Sequence, residues 1–220
     1  MTEMSPMTEK TFVPVSRGAL MTGAIGAFLF AAASLIIALV FLKPGRGSEV
    51  LLAIYAGLGL VSAILLSVGC FAASRPYGGG QITAGVFAIL AGLGAAGTFL
   101  VPALIQFNNR GDAFIVALAS SAGTMFLFSI FAAIANQRNA RGHKTLGVLT
   151  ASSWLYYASV LATAIGLKFA LRENLKVFAM ISVLAGLVTI GALVCHGVGL
   201  ILMRKLEAAQ PAESSDTGAA

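Results

Sequence analysis

His196 is the residue with the clearest capacity for chemistry in this 220-residue chain. It lies in a long stretch without charged residues, and Thr189 and Ser182 precede it at intervals of seven. Residues at this spacing lie on one face of a helix. Because imidazole titrates near neutral pH, this face predicts a proton-sensing or ligand-contacting histidine. The alternative is a neutral imidazole that hydrogen-bonds to a neighbouring helix or reaches the lipid headgroups.

A second polar pattern consists of four hydroxyl side chains at steps of four, three and four residues. This hydroxyl stripe comprises Ser152, Tyr156, Ser159 and Thr163. Its spacing puts all four on one face of a helix. One interpretation is that the stripe lines a pore or path for a small, mostly neutral solute. The other is that the hydroxyls hold neighbouring membrane helices together by hydrogen bonds.

Other kinds of site have no support in the sequence. No cluster of His, Cys, Asp and Glu has the spacing of a metal site. No Gly-rich phosphate loop is followed by lysine, and no nucleophile has a titratable partner nearby in sequence. The two cysteines, Cys70 and Cys195, do not form a CxxC pair. We therefore expect no catalytic residues, no metal and no cofactor, which is to say a protein that is not an enzyme.

The elements that carry these residues are long apolar stretches. Six segments of 22 to 27 residues contain no Asp, Glu, Lys or Arg. A helix needs about 20 apolar residues to cross the hydrocarbon core of a bilayer. The sequence therefore predicts an all-α, multi-pass integral membrane protein with six transmembrane helices, at 19–42, 51–73, 82–105, 113–135, 146–167 and 177–203.

The connections between these stretches are short and rich in Gly, Pro and polar residues. Short connections make sequential helices pack antiparallel, so we expect an antiparallel helix bundle over residues 19–206. Residues 1–18 precede it as a flexible N-terminal arm. Residues 207–220, with Pro211, two serines and three acids, have the composition of a disordered tail.

The net charge of +6 is concentrated at the ends of the stretches, where Lys and Arg contact lipid headgroups. This distribution indicates membrane anchoring and argues against nucleic acid as a partner. If the N-terminus is cytoplasmic, the cytoplasmic segments hold eight Lys and Arg and the opposite side holds six. The positive-inside rule then favours both termini in the cytoplasm.

These patterns lead to two hypotheses about function. Small residues recur at steps of three and four on several stretches, for example Ala88, Gly92 and Ala96. Such faces mark contacts between membrane helices. The first hypothesis is a non-enzymatic structural or accessory component of a membrane complex, whose partners are lipid and other membrane subunits or further copies of itself. The second is a channel or facilitator for a small neutral solute, lined by the hydroxyl stripe.

Overall fold

The structure is a computed structural model that describes the backbone of residues 16–42, 48–77, 80–104, 110–140, 146–170 and 175–209. Within these ranges the side chains of 41–42, 48–49, 75–77, 101–104, 110–120, 170, 175–176, 179 and 207–209 are not described. Most of the predicted N-terminal arm and C-terminal tail, and the connections between the helices, therefore lie outside the described residues.

Six α-helices make up the described chain, and the described residues contain no strand. They are α1 (Arg17–Leu42), α2 (Ser48–Tyr77), α3 (Gly80–Leu104), α4 (Arg110–Ala140), α5 (Gly147–Ala170) and α6 (Leu175–Ala209). Lipid offers no hydrogen-bond partners to a backbone, and a helix satisfies its own. The predicted all-α membrane bundle is confirmed at this level.

Five of the helices are long and apolar enough to cross a membrane. These segments are Arg17–Val40, Val50–Ser74, Gly80–Leu100, Gly147–Phe169 and Met180–Leu206. The remaining helix, α4, encloses the predicted span 113–135, and the side chains of its first eleven residues are not described.

Several helices extend beyond the predicted spans. The segment from Asn136 was predicted to be a connection because of its polar composition, yet α4 continues through Ala140. Asn136 and Asn139 are both buried there. Likewise α3 begins at Gly80, and Gln81 is buried in its first turn. Polar residues end an apolar stretch without ending the helix, because amide side chains are compatible with helical backbone.

The helices form a closed antiparallel ring. Each helix packs along its neighbours in sequence, and α6 packs along α1. The direction follows from the close contacts: Gly23 of α1 meets Gly69 of α2, whereas Gly26, further along α1, meets the earlier residue Leu66. The antiparallel packing predicted from the short connections is therefore observed for α1 and α2.

Large side chains fill the interior of this ring. Phe30 comes from α1 and Phe128 from α4, on opposite sides of the ring of helices. The centroids of their aromatic rings are 6.2 Å apart. Phe128 in turn meets Tyr156 of α5 edge-on at 5.7 Å. All three side chains are fully buried. These aromatic contacts between helices therefore fill the interior of the bundle at the level of Phe30 and Phe128.

The outer surface is apolar, whereas many polar side chains are buried. Large apolar residues are exposed on every helix, including Leu39, Val61, Leu93, Leu127, Trp154 and Leu184. Fourteen polar side chains are buried among the described residues. Burial of a polar group is favourable only where the group finds a hydrogen-bond partner. An apolar surface of this kind is compatible with a helical bundle that lies in a membrane.

Candidate functional site

Four polar side chains from three consecutive helices meet inside the bundle. This polar cluster consists of Asn136 of α4, Ser152 and Tyr156 of α5, and His196 of α6. Each of the four is fully buried. Because α4, α5 and α6 are neighbours in the ring, their inward faces converge at this point.

Asn136 is at the centre of the hydrogen bonds. Its Nδ2 donates to Ser152 Oγ at 3.2 Å and lies 3.2 Å from His196 Nδ1. Ser152 Oγ donates to the carbonyl oxygen of Ala192 in α6 at 2.8 Å. One amide group and one hydroxyl thus link all three helices.

Tyr156 contacts the same imidazole from the next turn of α5. Its hydroxyl lies 3.4 Å from His196 Nδ1, and the two rings meet edge-on with centroids 6.1 Å apart. The Tyr156 ring also packs edge-on with Phe128. The imidazole therefore contacts both the Asn136 amide and the Tyr156 side chain through its Nδ1 side.

The remaining hydroxyls of the stripe also bond within the bundle. Ser159 Oγ and Thr189 Oγ1 are 2.5 Å apart, which joins α5 to α6. The carbonyl oxygen of Ala185 lies within reach of both hydroxyls, 2.8 Å from Thr189 Oγ1 and 3.3 Å from Ser159 Oγ, so either hydroxyl can donate to the other. Thr163 donates to the carbonyl of Ser159, one turn earlier on its own helix.

Most of the site residues predicted from the sequence therefore lie close together in the structure. Of the seven predicted site residues, the structure brings Ser152, Tyr156 and His196 into the polar cluster and pairs Ser159 with Thr189. Thr163 is half-buried at the end of the same face, and Ser182 is half-buried on α6. This geometry favours the interhelical hydrogen-bond interpretation of the stripe. A functional or pore-lining role for these residues stays a prediction.

Sequence reasoning missed Asn136, which lies one residue beyond the predicted fourth span. A signal was present: Phe128, Ala132 and Asn136 follow one another at intervals of four, and all three are buried. An amide that continues the buried face of a helix is a candidate for a partner on the next helix.

Two further contacts made by buried hydroxyls were also missed. Ser153 lies outside the stripe, and it donates towards the carbonyls of Ala133 in α4 and Leu149 in α5, at 2.9 and 3.0 Å. In the other half of the bundle, Tyr55 of α2 and Ser121 of α4 share a hydrogen bond of 2.9 Å across the ring. Both contacts depend on which faces meet, which the sequence does not specify.

The polar cluster contains no charged residue. The described cations Arg17, Arg138, Lys168, Arg204 and Lys205 are all exposed. The described residues contain no group of three or more His, Cys, Asp or Glu that could hold a metal ion. Cys70 is buried and Cys195 half-buried, and both are free thiols. What the cluster can do is donate and accept hydrogen bonds in a buried interior without charged side chains.

Comparison with known proteins finds no matching family model, no matching curated protein and no matching solved structure. The interpretation of the site therefore depends on its own geometry.

Proposed function

We propose that this chain is a non-enzymatic membrane protein that serves as a structural or accessory component of a membrane complex. The observation that carries the proposal is a pair of outward-facing glycines. Gly57 of α2 and Gly123 of α4 are exposed, and a Cβ added to either would meet no described atom within 4 Å.

The packing of the chain itself does not require glycine at these two positions. Glycine costs about 1 kcal/mol relative to alanine in a helix interior. Small residues in membrane helices usually mark places where another helix approaches closely. A partner helix lying over Gly57 or Gly123 accounts for glycine there, and that partner is another membrane subunit or a second copy of this chain.

The interior of the bundle supports the same proposal. All four hydroxyls of the stripe bond to protein groups within the bundle. Two aromatic contacts, from Phe30 to Phe128 and from Phe128 to Tyr156, fill the ring. Polar side chains that hold helices together are typical of a scaffold, whereas a solute path needs polar groups that face open space.

The proposed orientation has both termini in the cytoplasm, as the distribution of Lys and Arg favours. The partners on this view are the lipid bilayer and other membrane proteins, with no role for nucleic acid. Labelling of a cysteine introduced into the 207–220 tail, by a membrane-impermeant reagent on intact cells, tests the orientation. We expect no labelling until the cells are opened, and labelling of intact cells would reverse the topology.

Association is tested by purification from its native membrane in mild detergent, followed by native electrophoresis. We expect the full-length chain to migrate as a complex larger than the monomer. Gly57→Leu and Gly123→Leu should shift it towards the monomer, because leucine blocks the approach of a partner helix. Ala158→Leu, an exposed alanine on α5, is the matched control and should leave the complex intact.

Two outcomes would contradict the proposal. One is a wild-type chain that is strictly monomeric and copurifies with no other protein. The other is a complex that is weakened equally by the Ala158→Leu control, which would indicate a general effect of bulk on the lipid-facing surface.

A further inference from the structure

The number of hydrogens in the polar cluster fixes the direction of each hydrogen bond. A serine hydroxyl has a single hydrogen, and Ser152 donates it to the carbonyl of Ala192 at 2.8 Å. Towards Asn136, Ser152 can therefore only accept. Asn136 must present its NH2 group, which places Nδ2 towards Ser152 and Oδ1 away from it.

The same reasoning assigns the proton on His196. The second hydrogen of Asn136 Nδ2 points to His196 Nδ1 at 3.2 Å, so Nδ1 accepts. The hydroxyl of Tyr156 approaches the same nitrogen at 3.4 Å and is also able to donate. A neutral imidazole with an accepting Nδ1 carries its hydrogen on Nε2.

Two polar atoms of the cluster are then left without a hydrogen bond. His196 Nε2 is a donor and Asn136 Oδ1 is an acceptor, and both are buried with no partner among the described residues. Buried polar groups in proteins nearly always have a partner, which is either a protein group or an ordered water. The donor and the acceptor belong to two side chains that are already in contact.

We propose that His196 Nε2 and Asn136 Oδ1 bind internal water within the bundle. An occupant must accept a hydrogen bond from Nε2 or donate one to Oδ1, and water does both. It must be uncharged, because no described charged side chain is buried near the cluster. It must also be small, since all four residues of the cluster are fully buried. This proposal concerns the interior and does not depend on the partners proposed above.

The test is solid-state NMR of the full-length protein in phosphatidylcholine liposomes, with 15N in the histidine rings. The chain has two histidines, so the spectrum of a His143→Gln variant identifies the signals of His196. We expect His196 to be protonated on Nε2 and to receive magnetisation from water rapidly. The backbone amides of Leu193 and Leu200, which are buried in the same helix, are the internal control and should receive it slowly.

Two variants separate the proposed site from general hydration. Asn136→Leu removes Oδ1, together with the Nδ2 that donates to Nδ1, and should reduce the transfer from water to His196 Nε2–H several-fold. Tyr156→Phe removes a hydroxyl that faces Nδ1, so both the tautomer and the transfer should persist. Because the wild-type spectrum is informative by itself, the test does not depend on whether the Asn136 variant folds.

Three results would overturn the proposal. The first is a His196 ring protonated on Nδ1. The second is transfer from water to Nε2–H that is no faster than transfer to the buried amides. The third is unchanged transfer in a folded Asn136→Leu variant, which would remove Oδ1 from the site.

Discussion

Gly69 of α2 and Gly23 of α1 bring two helix backbones into direct contact. A Cβ built on Gly69 would lie 2.5 Å from the Cα of Gly23 and 3.3 Å from Cδ1 of Leu200 in α6. An added Cβ would therefore clash with the backbone of α1 and crowd the buried side chain of Leu200. The closest approach of α1, α2 and α6 depends on the absence of side chains at this pair.

Gly69→Ala should destabilise the bundle by about 1–3 kcal/mol, the usual cost of overpacking a tight site. The free energy of unfolding in detergent micelles measures the effect. Gly186→Ala is the control, because a Cβ there would meet no described atom within 4 Å and Gly186 is not one of the proposed partner contacts. It should be neutral or slightly stabilising, and equal destabilisation by the two variants would contradict the packing argument.

The membrane helices could be predicted because absence of charge over more than 20 residues is a strong physical constraint. The ends of the helices could not, because helical backbone continues through polar residues such as Asn136. The predicted face with Thr189 and His196 does point inwards. Its pairing with Ser159 and Tyr156 depends on the rotation of α5 against α6, and spacing along one helix carries no information about that rotation.

The hydrogen bond between Ser159 and Thr189 should make a measurable contribution to the contact between α5 and α6. Interhelical hydrogen bonds in membrane proteins contribute about 0.6 kcal/mol on average. A double-mutant cycle with Ser159→Ala and Thr189→Val should therefore give a coupling energy of about this size. Thr163→Val is the control, since Thr163 bonds to its own helix, and its effect should add to that of Thr189→Val.

The same hydroxyls also give a prediction about permeability. Because the stripe bonds within the bundle and aromatic rings cross the interior, we expect proteoliposomes to take up glycerol no faster than protein-free liposomes. Light scattering after an osmotic step measures the uptake. Faster uptake that is abolished by Ser159→Leu would instead support the facilitator hypothesis, because leucine would then obstruct a path.

We expect His196 to stabilise the fold because its Nδ1 accepts a hydrogen bond from Asn136. His196→Leu has a similar volume but offers no acceptor to Asn136 Nδ2 or to the Tyr156 hydroxyl. Leaving a buried donor unsatisfied costs about 1–3 kcal/mol, so the Leu variant should be destabilised by about that amount. His196→Gln keeps an acceptor of similar reach and should be less affected. The free energies of unfolding of the two variants at neutral pH give the comparison.

The geometry also predicts how the native complex responds to pH. A proton on Nδ1 would direct an N–H at the NH2 group of Asn136, which also donates, so the arrangement fits the neutral imidazole. We therefore expect assembly of the wild type and of His196→Gln to be unchanged between about pH 5 and 8, the range in which an unperturbed histidine changes charge. A pH-dependent assembly or activity that His196→Gln removes, while the protein stays folded, would assign His196 a sensing role in place of the structural one.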